Sequence, residues 1–267
     1  MFRPEDLLKP YILLGFVAVC AAAQSSVKLE DLTWKEAEKA LTPEAIVMIP
    51  IGAASKEHGP HLKLGNDLLL AEYYTREVMK RTPVVVAPVV NYHFYPAFVE
   101  YAGATSLRLE TARDLVVDIC RGLAHFGPRK FYALNTGVST IRALQPVVEI
   151  LAADGITFRF TDILHAGEAE EKAVTTQKEG THADEIETSM MLYIAPKTVD
   201  MKKASKDFPS RGAGALQHTN PNGPRYSASG IYGDATLATR EKGERVVRAK
   251  IDAMVRDIEA LRASAAK

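Results

Sequence analysis

Short, unbroken apolar runs alternate with longer segments of helical period along most of this chain. Ala45 to Ile51 (AIVMIPI) is apolar throughout, the pattern of a strand buried on both faces of a sheet. Val84 to Val90 reads as a second buried strand, Lys130 to Leu134 as a third and Thr157 to Phe160 as a fourth. Helices are predicted between them over Leu68 to Arg81, Ala112 to His125 and Thr140 to Ala153. Within Leu29 to Leu41 an amphipathic helix starts at Trp34, with Thr33 as its N-cap, and Glu241 to Leu261 closes the chain with another. Such alternation predicts an α/β domain with a mainly parallel sheet. From Lys202 to Ser229 the chain is polar and rich in Gly, Pro, Asn and Ser, which predicts a long surface loop.

The first residues stand outside this pattern. Tyr11 to Ala23 (YILLGFVAVCAAA) is uncharged and apolar, follows Arg3 and Lys9, and ends in a small-residue site before Gln24. It is shorter than the roughly 20 apolar residues that span a bilayer and reads as a secretory signal peptide over residues 1–23. Export to a secreted or periplasmic location follows as the expectation, with residues 24–267 forming one domain and no membrane contact after cleavage. Cys20 suggests a lipoprotein, but Val19 before it is bulky for that processing.

Composition narrows the chemistry. Among 267 residues, 33 basic side chains balance 33 acidic ones, so no basic excess is available for nucleic acid. The cysteines, Cys20 and Cys120, supply neither a disulfide framework nor a thiolate zinc site. Metal ligands are therefore sought among His, Asp and Glu.

Two polar clusters offer them. Glu57, His58, His61 and Asp67 directly follow the first buried strand, where open α/β sheets bind ligands. These are hard and borderline donors for a divalent ion; the plainer reading of Asp67 is a helix N-cap with solvated histidines nearby. The second cluster, His182-Ala-Asp184-Glu185-Ile-Glu187, opens a helix. Capping and first-turn charge account for Asp184 and Glu185, but less well for His182 and Glu187.

Pro50-Ile-Gly52, His58-Gly59-Pro60-His61-Leu62, Leu64-Gly65-x-Asp67 and His182-Ala-x-Glu-x-Glu187-Thr188-Ser189 together resemble the signature of the creatininase (creatinine amidohydrolase) family. The likeness continues through Ala104-Thr105-Ser106-Leu107 and Gly233-Asp234 to Gly243, and covers about Leu32 to Leu261. It implies a three-layer α/β/α fold, a homo-oligomer (a hexamer), a zinc or manganese site of two ions, and hydrolysis of amide C–N bonds in small, cyclic or formylated substrates. By that resemblance His58, Asp67 and Glu187 are metal ligands, with Asp67 bridging. His182 has an acid/base or substrate-binding role, and Glu185 is a weaker candidate for moving the proton.

This chain departs from the family in two places. The family's glutamate ligand two residues before the histidine is replaced by Lys56, and Glu57 is expected to swing into its place as a ligand. After the third strand the family has Asn-Gly-His-Gly-Gly-Asn, whose histidine binds the other ion; this chain has Asn135-Thr-Gly137-Val-Ser-Thr140. Either one metal position is lost or weakened, or His93, Glu100 or His61 fills it. The expectation is one strong site and at most one weak one. The leading reading is a metal-dependent amidohydrolase of a small molecule that uses metal-activated water. A lactone or ester hydrolase and a catalytically silent small-molecule binder are the alternatives.

Overall fold

A computed structural model describes residues 25–209 and 214–265. The signal peptide expected over residues 1–23 lies outside the described residues. Chain order begins with β1 (Val27–Lys28), α1 (Trp34–Ala40), β2 (Ile46–Ile51), α2 (Asn66–Met79), β3 (Val85–Val86) and α3 (Leu109–Ala124). It continues with β4 (Lys130–Asn135), α4 (Ile141–Ala153), β5 (Thr157–Phe160), α5 (Glu168–Val174) and α6 (Glu185–Ile194). The short strands β6 (Lys206–Asp207) and β7 (Gly233–Asp234) form an antiparallel pair, and α7 (Arg240–Ala263) ends the fold.

Five strands make one parallel sheet in the order β1-β3-β2-β4-β5. The period-two alternation of a strand splits β2 between two cores. Ile46 and Met48 join Leu70, Tyr74, Met190 and Met254 on one face of the sheet. Val47, Ile49 and Ile51 join Val116, Cys120, Leu144 and Val147 on the other. Helices α2, α6 and α7 therefore cover one face, and α3 and α4 the opposite one, giving the three-layer α/β/α arrangement. Among the described residues no helix is long and apolar enough to cross a membrane.

Local chemistry explains the boundaries. The capping box at Thr33, with its backbone N–H donating to Glu36 Oε2 at 2.8 Å, starts α1 where the sequence placed it. The second predicted strand is shorter than its apolar run: only Val85–Val86 pairs as a strand, and Val90 makes an isolated bridge to Ile51. Pro88 has no N–H to give a ladder. Among the described residues, the polar stretch after residue 202 is largely irregular, apart from β6.

β2 and β4 lie in register from Ile46↔Lys130 to Ile51↔Asn135, so their carboxyl ends stop side by side. The loops leaving them, 52–65 and 136–140, flank the same end of the sheet. Gly52 is where β2 meets the first turn of α2: a Cβ there would overlap the Asp67 carbonyl. The missing side chain lets α2 begin against the strand and seats Asp67 at the strand end.

Candidate metal centre

Asp67 sits in the first turn of α2 and is buried, as are Lys56 and His58 in the loop before it. His58 Nδ1 lies 3.0 Å from the Lys56 carbonyl. A carbonyl only accepts, so this nitrogen carries the ring proton. His58 Nε2 then faces Asp67 Oδ1 at 2.9 Å. With the ring neutral, acceptor meets acceptor, an arrangement that a cation satisfies.

A second imidazole repeats the arrangement. His182 reaches the site just before α6, bridged in antiparallel fashion to Tyr232. Its Nε2 donates to Glu57 Oε2 at 3.0 Å, which leaves Nδ1 bare and 3.5 Å from Glu187 Oε2. Glu187 Oε2 also accepts the Ala183 N–H at 2.6 Å. Ala183 is buried with φ of 47°, a left-handed conformation that few non-glycine residues adopt. This turn delivers His182 on one side and α6 on the other. Asp184 caps α6, accepting from the Ile186 and Glu187 N–H groups at 3.0 Å each. Burial first, and then Glu187, push its carboxyl up to about 7.

His58, His182 and Glu187 each place a ligand atom within 4.8 Å of the other two. Two imidazoles and a carboxylate suit zinc or manganese. Charge points the same way: Glu57, Asp67 and Glu187 surround a single ammonium, that of Lys56. The centre opens on a cavity of about 300 Å³ lined by Lys56, Tyr95, Phe98, Gly137, His182 and Glu187 among others.

Lys56 was flagged in the sequence only as a departure, and its place in the structure is central. Its Nζ lies 2.6 Å from Asp67 Oδ2, with side-chain exposures of 7% and 1%. Burial opposes the ammonium, but Asp67, Glu187 and Glu57 outweigh it and raise the lysine's pKa. Burial likewise opposes the Asp67 carboxylate, yet the Lys56 ammonium beside it holds it well below the usual range.

Several sequence assignments are corrected. Glu57 does not swing into the place held by Lys56; it lies across His182 from the ligand group, accepting from His182 Nε2 and from the Gly59 N–H. Glu185, expected as a proton mover, is turned away from the cavity. Two positions from Glu187, it points about 200° around the helix. There its carboxylate accepts from the Thr176 and Gln177 N–H groups and the Lys242 ammonium.

Among the described residues, none of the candidates for a second ion position joins the group of His58, His182 and Glu187. His61 Nε2 pairs with Thr188 Oγ1 at 2.8 Å. His93 Nε2 donates to the Ala112 carbonyl at 3.1 Å. Exposed Glu100 accepts from the His218 and Thr219 N–H groups. Gly137, where the resemblance expects a histidine, has room for a Cβ only 3.2 Å from the Thr140 side chain and 3.4 Å from Tyr95.

The family model for creatininase, described as creatinine amidohydrolase, matches residues 30–258. The chain belongs to the creatininase family. It is 28% identical over 241 residues to the creatinine amidohydrolase of Pseudomonas putida, covering 83% of this chain and 92% of the relative. It is 27% identical over 265 residues to the 3-dehydro-scyllo-inosose hydrolase of Thermotoga maritima, covering 88% and 84%. A solved manganese form of creatininase superposes with a TM-score of 0.76 at 25% identity, over 90% of this chain and 100% of that one. A zinc form of a creatininase variant gives 0.75 at 25% identity, with the same coverage.

Proposed function

We propose that the chain is a metal-dependent hydrolase that cleaves a C–N bond in a small cyclic or formylated amide. The carrying observation is the convergence of His58, His182 and Glu187 at the head of the cavity. These three would hold one divalent ion, zinc or manganese, with Asp67 Oδ1 beside His58 Nε2 as a further donor. When bound, such an ion polarises a carbonyl oxygen and lowers the pKa of a water to about 7.

The chain's own residues prepare the site. Glu57 keeps the proton of His182 on Nε2, fixing the tautomer that presents Nδ1. The Lys56 carbonyl does the same for His58 Nδ1. Phe98 covers one face of the His182 ring and shields it from water on that side. The hydrolase relatives, one acting on creatinine and one on an inosose, support the reaction class and leave the substrate open.

The test is metal content of the purified protein together with turnover of a panel holding creatinine, lactams, N-formyl amides and matching lactones. Stoichiometric metal and amide turnover abolished by a chelator support the reading. Turnover of lactones alone would shift it to ester hydrolysis, and protein without stoichiometric metal or turnover would make it a binder. Export belongs to the same proposal, tested by the native mass starting at Gln24. So does a homo-oligomer, tested by light scattering.

A further inference from the structure

We propose that the Lys56 ammonium is the built-in second cation of this centre, and that its free N–H donors bind the substrate's carbonyl oxygen. The second half rests on the hydrolase reading above. Asp67 is shared between two partners: Oδ2 meets Lys56 Nζ at 2.6 Å, and Oδ1 meets His58 Nε2 at 2.9 Å. One oxygen therefore serves an ammonium and the other serves the ligand group. The residues around Lys56 do not fit a second ion. The positions where ligands are expected hold Lys56 itself and Gly137, and among the described residues none of His61, His93 and Glu100 joins the group formed by His58, His182 and Glu187. An ammonium and a divalent ion on the same carboxylate oxygen would repel strongly in a buried site.

An ammonium carries three donors, and its contact with Asp67 is an ion pair at 2.6 Å. Lys56 lines the cavity, its Nζ 5.4 Å from the centroid of the Phe98 ring and 5.9 Å from that of Tyr95. A preorganised donor at such a place stabilises negative charge as it develops on a carbonyl oxygen. The Tyr95 hydroxyl, buried with no hydrogen-bond partner among the described residues, lines the same cavity and can be satisfied by that oxygen.

Full-length protein stripped of metal and reloaded with Mn²⁺ or Zn²⁺ tests the first half. Wild type is expected to hold one ion per protomer. Lys56→Gln is expected to bind that ion at least about 10-fold more tightly, because the repelling charge is gone. Lys56→Ala opens space beside an uncompensated carboxylate, so methylammonium should raise its Tm saturably while leaving wild type unmoved; tetramethylammonium, without N–H donors, should do neither. Two tightly held ions in wild type overturn the proposal. So does a Lys56→Gln affinity equal to that of wild type with no methylammonium response in Lys56→Ala, the outcome for a merely structural pair. If Lys56→Ala does not fold, wild-type stoichiometry and the Lys56→Gln affinity decide. Wild type without any ion overturns the hydrolase reading instead, and the methylammonium response alone then decides whether Lys56 holds a cation's place. For the second half, Lys56→Gln on an amide that wild type turns over should lose about 100-fold in kcat with KM within about 3-fold. An unchanged kcat overturns that half.

Discussion

The Phe98 ring stacks on the His182 imidazole, with centroids 3.8 Å apart and planes inclined by 27°. The contact pins one face of the ring, and the Glu57 hydrogen bond fixes its edge. Phe98→Ala is expected to free the ring and weaken divalent-ion affinity by about 10-fold, the size of losses from residues that orient a ligand. Because Phe98 is only half-buried, Tm of the metal-free protein should change little. Calorimetric metal titration and a thermal melt check both halves.

Glu57 and Glu185 are predicted to separate cleanly. Glu57→Gln removes the charge behind His182 and should lower metal affinity by about 10-fold or more. Glu185→Gln leaves the ligand group alone but breaks a buried carboxylate's bonds to Thr176, Gln177 and Lys242. It should cost roughly 2–4 kcal/mol of stability with metal affinity within about 3-fold of wild type. Denaturant melts and metal titrations on both variants decide; a large affinity loss in Glu185→Gln would return that residue to the centre.

Gly243 in α7 packs against the Ser189 carbonyl of α6, and a Cβ there would overlap it. Both are backbone-bearing helices, so no flexible side chain can yield. Gly243→Ala is expected to cost about 3 kcal/mol or more, lowering Tm by roughly 10 °C for a chain of this size. A melt within about 2 °C of wild type would show that the helices slide apart readily.

His93 is buried, and burial holds its imidazole down to about 4, against the pull of the Ala112 carbonyl. The unfolded chain titrates near 6.5, so below that pH the unfolded state takes up the proton first. Stability from this group is complete above pH 6.5 and is lost as pH falls toward 4, on the order of 3 kcal/mol in total. His61, also held to about 4 by burial, contributes with the same sign. His93→Gln should therefore remove about half of the decline in unfolding free energy between pH 6.5 and 4, measured by urea titration.

Much of this fold is written in short-range pattern. AIVMIPI announces a two-sided strand, and Ile46/Met48 against Val47/Ile49 show both sides filled. Helix α5 escaped notice because Glu168 to Val174 is charged along most of its length and buries only Val174. In the site, the sequence named His58, Asp67, His182 and Glu187 as candidates but could not say which of two neighbours turns inward. Lys56 and Glu57 adjoin in an irregular loop, where no period fixes side-chain direction, so Glu57 was assigned the place that Lys56 holds. Glu185 was different, because helical geometry already sets it opposite Glu187; that signal was present in the sequence.

The pairing of Ile51 with Asn135 ties the two site loops to one sheet end, and this constrains how the protein can change over time. With Gly137 in one loop and Lys56 in the other, each makes the other tolerable. Converting Lys56 to glutamate alone would press a second buried carboxylate onto Asp67 with too few ligands to recruit an ion. Converting Gly137 to histidine alone would offer a ligand to a place the ammonium already holds. Neither single step alone completes a second ligand set, so the two positions are coupled. The charge balance at this sheet end is thus set by two loops at once, and a change in either is felt by the other.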